Sequence, residues 1–325
     1  MKLLTYRINH LETHQIGVLQ NQLVYNLNTC FGDISLVELI QIEDYKDQVA
    51  SFISNNDCLK HEINDITVLA TIPKPTSFRD AYAFRQHVET ARENRGAEMI
   101  AEFDQFPVFY FSNHNAMFGD KEELELMPDH FHRLDYELEF AIIIGKGGKN
   151  ILSKDADKHI AGFCILNDLS ARELQMEEMK LNLGPAKGKD FANVLGPYLV
   201  TTDELENNSI NTPFGKKYNL KMECFVNGQL LSEGNAKDMH WTFAEIIERA
   251  SYGVELFAGD VIGSGTVGTG CLLELNGSRK KLNADYKEQW LKEGDEIEME
   301  IEGLGKITNK IVRADTNHSL LKLKK

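Results

Sequence analysis

Arg133-Leu134-Asp135-Tyr136-Glu137-Leu138-Glu139-Phe140-Ala141-Ile142-Ile143-Ile144-Gly145 is the stretch on which the reading of this chain turns. Its period is two. Leu134, Tyr136, Leu138, Phe140 and Ile142 alternate with Asp135, Glu137 and Glu139, as on a β-strand. Three carboxylates thereby share one strand face, and the run from Ala141 to Ile144 marks the strand as buried. Like charges this close repel, more strongly where the dielectric is poor. Such a face is tolerable when it is wet, when its acids hold protons, or when a cation sits among them. A wet face is the ordinary fate of an isolated Glu-x-Glu. The apolar run argues against it here, so Glu137 and Glu139 are read as ligands of a divalent metal.

Composition sets the outer bounds. The chain has 325 residues, 42% hydrophobic and 26% charged, enough for one large globular domain with a smaller companion. A formal net charge of -15 and the lack of a dense Lys/Arg cluster disfavour nucleic acid and anionic membrane surfaces. An acidic protein that takes an anionic substrate must gather its cations at the site. The Met1-Lys2-Leu3-Leu4-Thr5-Tyr6-Arg7 opening is no signal core, and no apolar stretch is long enough to span a bilayer. Cys30, Cys58, Cys164, Cys224 and Cys271 are odd in number and lack short paired spacings, which fits reduced thiols and a cytoplasmic location.

Outward from the central stretch, residues 1–71 read as a small β-rich unit, with strands near 3–7 and 15–19 and short helices over 35–40 and 45–54. His10 and His14 have helical spacing in strand-like surroundings, so no metal role is expected of them. Pro73 and Pro75 mark a boundary, and residues 72–325 form the second domain. Asp80 suits a helix N-terminus, with Tyr82, Gln86 and His87 on the following turns. His130-Phe131-His132 is read as solvated. Gly162 to Asp168 reads as a buried strand, and Ser170-Ala171-Arg172-Glu173 as a capping box opening a helix. Asn227-Gly228 marks a hairpin, and Thr242 with Glu245 caps a short helix. Gly263-Ser264-Gly265-Thr266-Val267-Gly268 has the form of a dinucleotide fingerprint. It is rejected because it leads into Cys271-Leu272-Leu273-Glu274-Leu275 and an Asn-Gly turn rather than a helix. A loop whose backbone approaches a ligand is preferred. A last strand closes near Ile301.

Six motifs occur in one order: Arg79-Asp80-Ala81-Tyr82 with Arg85-Gln86-His87; Asp135 to Glu139; Asn167-Asp168-Leu169-Ser170-Ala171-Arg172-Glu173-Leu174-Gln175; Gly188-Lys189-Asp190-Phe191; Gly259 to Thr266; and Cys271-Leu272-Leu273-Glu274. Together, from about Pro73 to Val312, they resemble the fumarylacetoacetate hydrolase family. The resemblance implies an α+β, β-rich fold with a mixed β-sheet or β-roll catalytic domain behind a small β-rich N-terminal domain, and a homodimer. It implies Mg²⁺ or Ca²⁺ on Asp80, Glu137, Glu139 and Asp168, all hard oxygen donors. Asp135 has no role in it. Asn193 stands where some members carry a hydroxyl.

The resemblance also implies that His87 is the general base, with Glu274 orienting it and favouring its charged form. Gln175 and Lys189 would donate to a developing oxyanion, and Tyr82, Gln175 and Thr266 would contact substrate. Members that decarboxylate oxo acids often carry His-x-x-Glu on the early helix. Thr90 stands at that place here, which tilts the expectation toward hydrolysis. Arg92 or Arg95 would meet the substrate's carboxylate. The expected activity is therefore metal-dependent C–C bond hydrolysis of a β-diketo acid, with fumarylacetoacetate giving fumarate and acetoacetate in aromatic amino-acid (tyrosine) catabolism. The alternatives are a decarboxylase or isomerase of oxo or hydroxydienoic acids on the same metal, and a metal-binding protein without catalysis.

Overall fold

The computed structural model describes residues 1–8 and 13–323. His10 lies outside these residues, and His14 is exposed.

Strand Leu138–Ile144 sits inside a 12-stranded sheet, antiparallel to Ile160–Asp168 on one side and to Asp260–Gly263 on the other. Every residue of it is buried, because both faces of the sheet are covered. Phe140, Ile142 and Ile144 join a core with Met222, Met299 and Ile307 of a second, five-stranded sheet. Ala141 and Ile143 join another with Leu36, Leu39 and Val49 of helices Leu36–Leu39 and Tyr45–Asn55. Two-sided burial explains why the sequence runs apolar without alternation beyond Phe140. The architecture is the expected α+β, strand-rich one. Beyond Ile160–Asp168 the sheet continues through Asn193–Thr201 and Lys2–Ile8 to the other N-terminal strands. The sheet therefore runs unbroken across residues 71 and 72, joined where Lys2 and Leu3 pair with Val200 and Leu199. Among the described residues no helix is long and apolar enough to cross a membrane.

Several local expectations need correction, each for a tertiary reason. The 133–145 stretch is two strands, Leu134–Asp135 and Leu138–Ile144, because the first pairs with Ser170–Ala171 rather than with the main sheet. Ser170 is thus in a strand and caps nothing. The helix Arg172–Met179 starts with its Arg172 and Glu173 amides donating to the carbonyls of Arg133 and His132. Asp80 is no helix cap either: it lies in strand Ser77–Ala81, and the helix begins only at Arg85. Backbone bonds from Ala83 to Ser264, and from His240 to Ala83, hold the intervening chain extended. The glycine loop does open a helix, Leu272–Leu282, which runs through Asn276-Gly277. Asn276 is not free to turn the chain, since its side chain is bonded to the Gln289 backbone and the Tyr286 hydroxyl. His130 is buried rather than solvated, and stacks on Phe191 at 3.9 Å between ring centroids. Its ring accepts from the Met127 amide, and burial pulls its pKa down to about 4. A further strand, Gly305–Arg313, follows the one ending at Ile301. The Asn227-Gly228 hairpin and the Thr242–Glu245 capping box form as read.

Candidate metal centre and adjoining base

One end of the main sheet collects the chemistry. Five neighbouring strands there present, in order, Asn193 at the start of one strand, Asp168 at the end of the next and Glu139 near the start of the third. Gly263, ending the fourth, and Asp80, near the end of the fifth, complete the row. Asp80, Glu137, Glu139 and Asp168 each offer an oxygen within 4.8 Å of the others. Their exposures are 3%, 5%, 0% and 0%. A Cβ on Gly263 would stand 2.3 Å from Asp80 Oδ1, so only glycine leaves that carboxylate its place. Gly265 has a φ of 77° and turns its amide toward the cluster, donating to Asp80 Oδ1 (3.1 Å) and Glu139 Oε2 (3.0 Å). The glycine loop is therefore part of the carboxylate site, which rejects the dinucleotide fingerprint even though a helix follows the loop.

Electrostatics divide the four acids into two kinds. Burial pushes the Asp80 carboxyl up to about 7, with Asp168 adding to the effect. Burial, Asp80 and Glu137 raise Glu139 well above the carboxylate range. Burial acts on Glu137 too, but Lys189 and Arg172 outweigh it and hold Glu137 far below its usual range. Lys189 donates to Glu137 Oε2 and, at 2.7 Å, to Asp168 Oδ2. Burial opposes its charge, yet Asp168 and Glu137 keep its pKa above normal. Asp168 also accepts from the Tyr110 hydroxyl, while its Oδ1 is buried without a hydrogen-bond partner. Asn193, paired in register with Asp168, likewise has both side-chain polar atoms buried and unpartnered.

Asp135 does not join this cluster, correcting the picture of three acids on one face. It accepts from Arg172 Nε at 2.8 Å and from the Leu272 and Leu273 amides at 2.7 and 3.0 Å. It thus supplies the N-terminal cap of helix Leu272–Leu282, which lacks one of its own. Arg172 also donates to Glu137 Oε1 (2.8 Å) and Gln175 Oε1 (3.0 Å). Five buried acids thus face two buried cations, Arg172 and Lys189. The surplus negative charge, the orphaned Asp168 oxygen and the all-oxygen donor set fit a hard dication.

Beside the cluster, His87 Nδ1 lies 2.8 Å from Glu274 Oε2, and Glu274 Oε1 accepts from the Thr269 amide at 2.9 Å. Glu274 is on the helix Leu272–Leu282 and 1% exposed. The Tyr82 ring meets His87 edge-on at 5.8 Å. A cavity of about 300 Å³ is lined by Asp80, Tyr82, His87, Glu137, Glu139, Gln175, Lys189 and Thr266, and by Arg95, Arg172 and Tyr110. Thr266 Oγ1 is turned toward Glu139 Oε1 at 3.3 Å. Arg92 donates to the Glu98 carbonyl and is not in the wall. The sequence reading missed Arg172 and Tyr110 as members of the site. Arg172 stands inside a quoted motif, whereas Tyr110 carried no signal before strand pairing set it opposite Asp80.

Residues 76–312 match the family described as Fumarylacetoacetate (FAA) hydrolase, C-terminal. The oxaloacetate tautomerase YisK of Bacillus subtilis (strain 168) is 30% identical over 265 residues, 82% of this chain and 77% of that protein. The mitochondrial oxaloacetate tautomerase FAHD2A of Homo sapiens is 36% identical over 207 residues, 63% of this chain and 59% of the human protein. The solved fumarylacetoacetate hydrolase of the psychrophile Exiguobacterium antarcticum superposes with a TM-score of 0.72 at 25% identity, over 97% of this chain and 100% of that one.

Proposed function

Since the chain belongs to the fumarylacetoacetate hydrolase family, we propose that it is a divalent-metal enzyme that forms the enolate of a short 2-oxo acid. Keto–enol tautomerisation of oxaloacetate is the reaction we favour. One observation carries the proposal: a buried four-carboxylate cluster and a carboxylate-oriented imidazole open onto the same cavity. The names of the two relatives point the same way.

Asp80, Glu137, Glu139 and Asp168 would hold Mg²⁺ or Ca²⁺. Bound there, the ion would polarise a carbonyl and stabilise negative charge developing on its oxygen. The rest falls to the side chains. Glu274 accepts from His87 Nδ1–H, which leaves Nε2 as the basic nitrogen beside the cavity. His87 would take the proton from the carbon next to the carbonyl and deliver it to the enolate oxygen, the reverse route giving the keto form. The Thr269 amide and the Tyr82 ring hold this pair in place. Gln175, whose oxygen is occupied by Arg172, keeps its NH₂ group for a substrate oxygen. Lys189 adds a second donor, and Tyr82 and Thr266 complete the wall. Arg95, which lines the cavity, is the cation for a distal carboxylate. Purified protein loaded with Mg²⁺ should accelerate the loss of the enol absorbance of oxaloacetate. No acceleration with metal bound would refute the assignment.

The second reading is hydrolysis of fumarylacetoacetate to fumarate and acetoacetate. The His87–Glu274 pair favours it, because a base with its own orienting carboxylate is also what activating water requires. Bleaching of the diketone absorbance would select it. Carbon dioxide release from oxaloacetate would select the decarboxylase, and metal binding with no turnover a binding protein. The proposal includes a cytoplasmic homodimer, checked in solution by light scattering.

A further inference from the structure

Cys30 and Cys58 are 28 positions apart, too far to read as a pair in sequence, yet their Sγ atoms lie 2.7 Å apart. Both are free thiols. The flanking chain already holds the two segments together. The Asn26 amide donates to the Leu59 carbonyl at 2.8 Å, and the Leu59 amide to Thr29 Oγ1 at 3.4 Å. The backbone thus already holds the two thiols in contact. Access is unequal. Cys30, in the short helix Asn28–Phe31, is half-buried, while Cys58 is 6% exposed. Cys164, Cys224 and Cys271 are all 0% exposed.

We infer that Cys30 and Cys58 are a redox-modification site that closes to a disulfide when the protein meets a peroxide. The Cys30 thiolate attacks the peroxide, forming a sulfenic acid and releasing hydroxide. The Cys58 thiol then attacks that sulfur, the S–S bond forms, and water leaves. Overall two thiols surrender two electrons, and one hydrogen peroxide becomes two waters. Cys30 is the more accessible of the two and so meets the peroxide first, while burial and the neighbouring thiol push Cys58 up to about 12. Neither cysteine lines the cavity.

The test uses the full chain, reduced and then treated with hydrogen peroxide in slight excess. Lys46 separates the two cysteines, so a non-reducing tryptic digest should give two peptides joined at Cys30 and Cys58. Their joint mass should be two hydrogens short, and they should separate on reduction. The melting temperature should rise by a few degrees, because the link closes the 30–58 segment in the unfolded chain. Cys58→Ser should leave Cys30 to go on to sulfinic acid. Cys30→Ser, at the more exposed position, should leave Cys58 unreacted and serves if the buried variant fails to fold. Wild-type Cys30 reaching sulfinic acid while Cys58 remains alkylatable would overturn the inference, as would a link from either residue to a third cysteine.

Discussion

Glu139→Gln separates the metal's claim on the cluster from the needs of the fold. Glu139 is fully buried, and its pKa is raised well above normal by burial, Asp80 and Glu137. Without metal, a glutamine has nearly the shape and charge of that protonated acid, and its NH₂ can make the same donation. The variant should therefore fold without loss of stability at pH 5–6. The sign of the pH dependence follows from the raised pKa values. The pair holds a proton in the folded chain that the unfolded chain gives up near pH 4. Stability from this source is complete below that pH and is lost as pH rises toward about 7, the Asp80 value. The metal-free wild type should thus lose up to about 1.4 kcal/mol per pH unit across this window. The variant should lose less, since Asp80 then faces a neutral amide. Magnesium at 100 times its dissociation constant should stabilise the wild type by about 2.7 kcal/mol. For a chain of 325 residues that is about 4 °C in melting temperature. The variant should gain less than about a degree at the same concentration. Thermal melts of both proteins at pH 5.5, 6.5 and 7.5, with and without Mg²⁺, suffice. An undiminished metal shift in the variant would refute Glu139 as a ligand. A metal-free variant several degrees less stable at pH 5.5 would refute a protonated Glu139.

Metal affinity in the wild type should rise up to tenfold per pH unit between about pH 5 and 7, because the Asp80–Glu139 proton must leave. Calorimetric titration in two buffers of different ionisation enthalpy should show that proton, and a pH-independent affinity would contradict it. Glu274→Gln and His87→Gln should each lower kcat by about 10²–10⁴ with the metal-induced melting shift intact. Unchanged kcat in either removes the dyad from the mechanism. Gly263→Ala, whose new Cβ would stand 2.3 Å from Asp80 Oδ1, should weaken metal binding by about 10–100-fold in a folded protein, as displaced ligands do. Asp135→Ala strips Arg172 of one buried partner and a helix of its cap, and should cost about 3–5 kcal/mol in a denaturant titration.

What could be read without coordinates was what depends on side-chain type. Glu137 and Glu139 beside Ile142–Ile144 announced a buried acidic strand, because charge next to an apolar run has few explanations. The missed features are long-range. Asp80 has the composition of a helix cap, and only its pairing with Phe109–Phe111 and Asp260–Gly263 makes it a strand residue. Ser170-Ala171-Arg172-Glu173 satisfies the local pattern of a capping box, but the carbonyls of His132 and Arg133 reach those amides first. Leu272–Leu282 has no cap within its own sequence, so nothing nearby announced a helix. Its cap is Asp135, more than a hundred residues earlier. That contact also explains the one acid of the central stretch that the family resemblance left without a purpose.

Tautomerisation and C–C hydrolysis make almost the same demands on this cavity. Each needs an anionic oxo acid, donors aimed at the oxygen that becomes an enolate, and one base at neutral pH. In the roles proposed for them, Lys189, Gln175 and His87 would meet those demands in either case. The difference is the proton's source. A tautomerase takes it from the substrate's carbon and returns it to the same molecule, so His87 must face carbon in a dry pocket. A hydrolase takes it from water, so the pocket must keep a water between His87 and the carbonyl. Val108, Phe109, Met176, Met179 and Leu273 line the cavity along with the polar groups. Phe109, Met176 and Leu273 offer water no hydrogen bonds, which favours direct transfer from carbon, whereas Val108 and Met179 are themselves exposed. Polar replacements at Met176 or Leu273 are the changes that should move the chain toward hydrolysis.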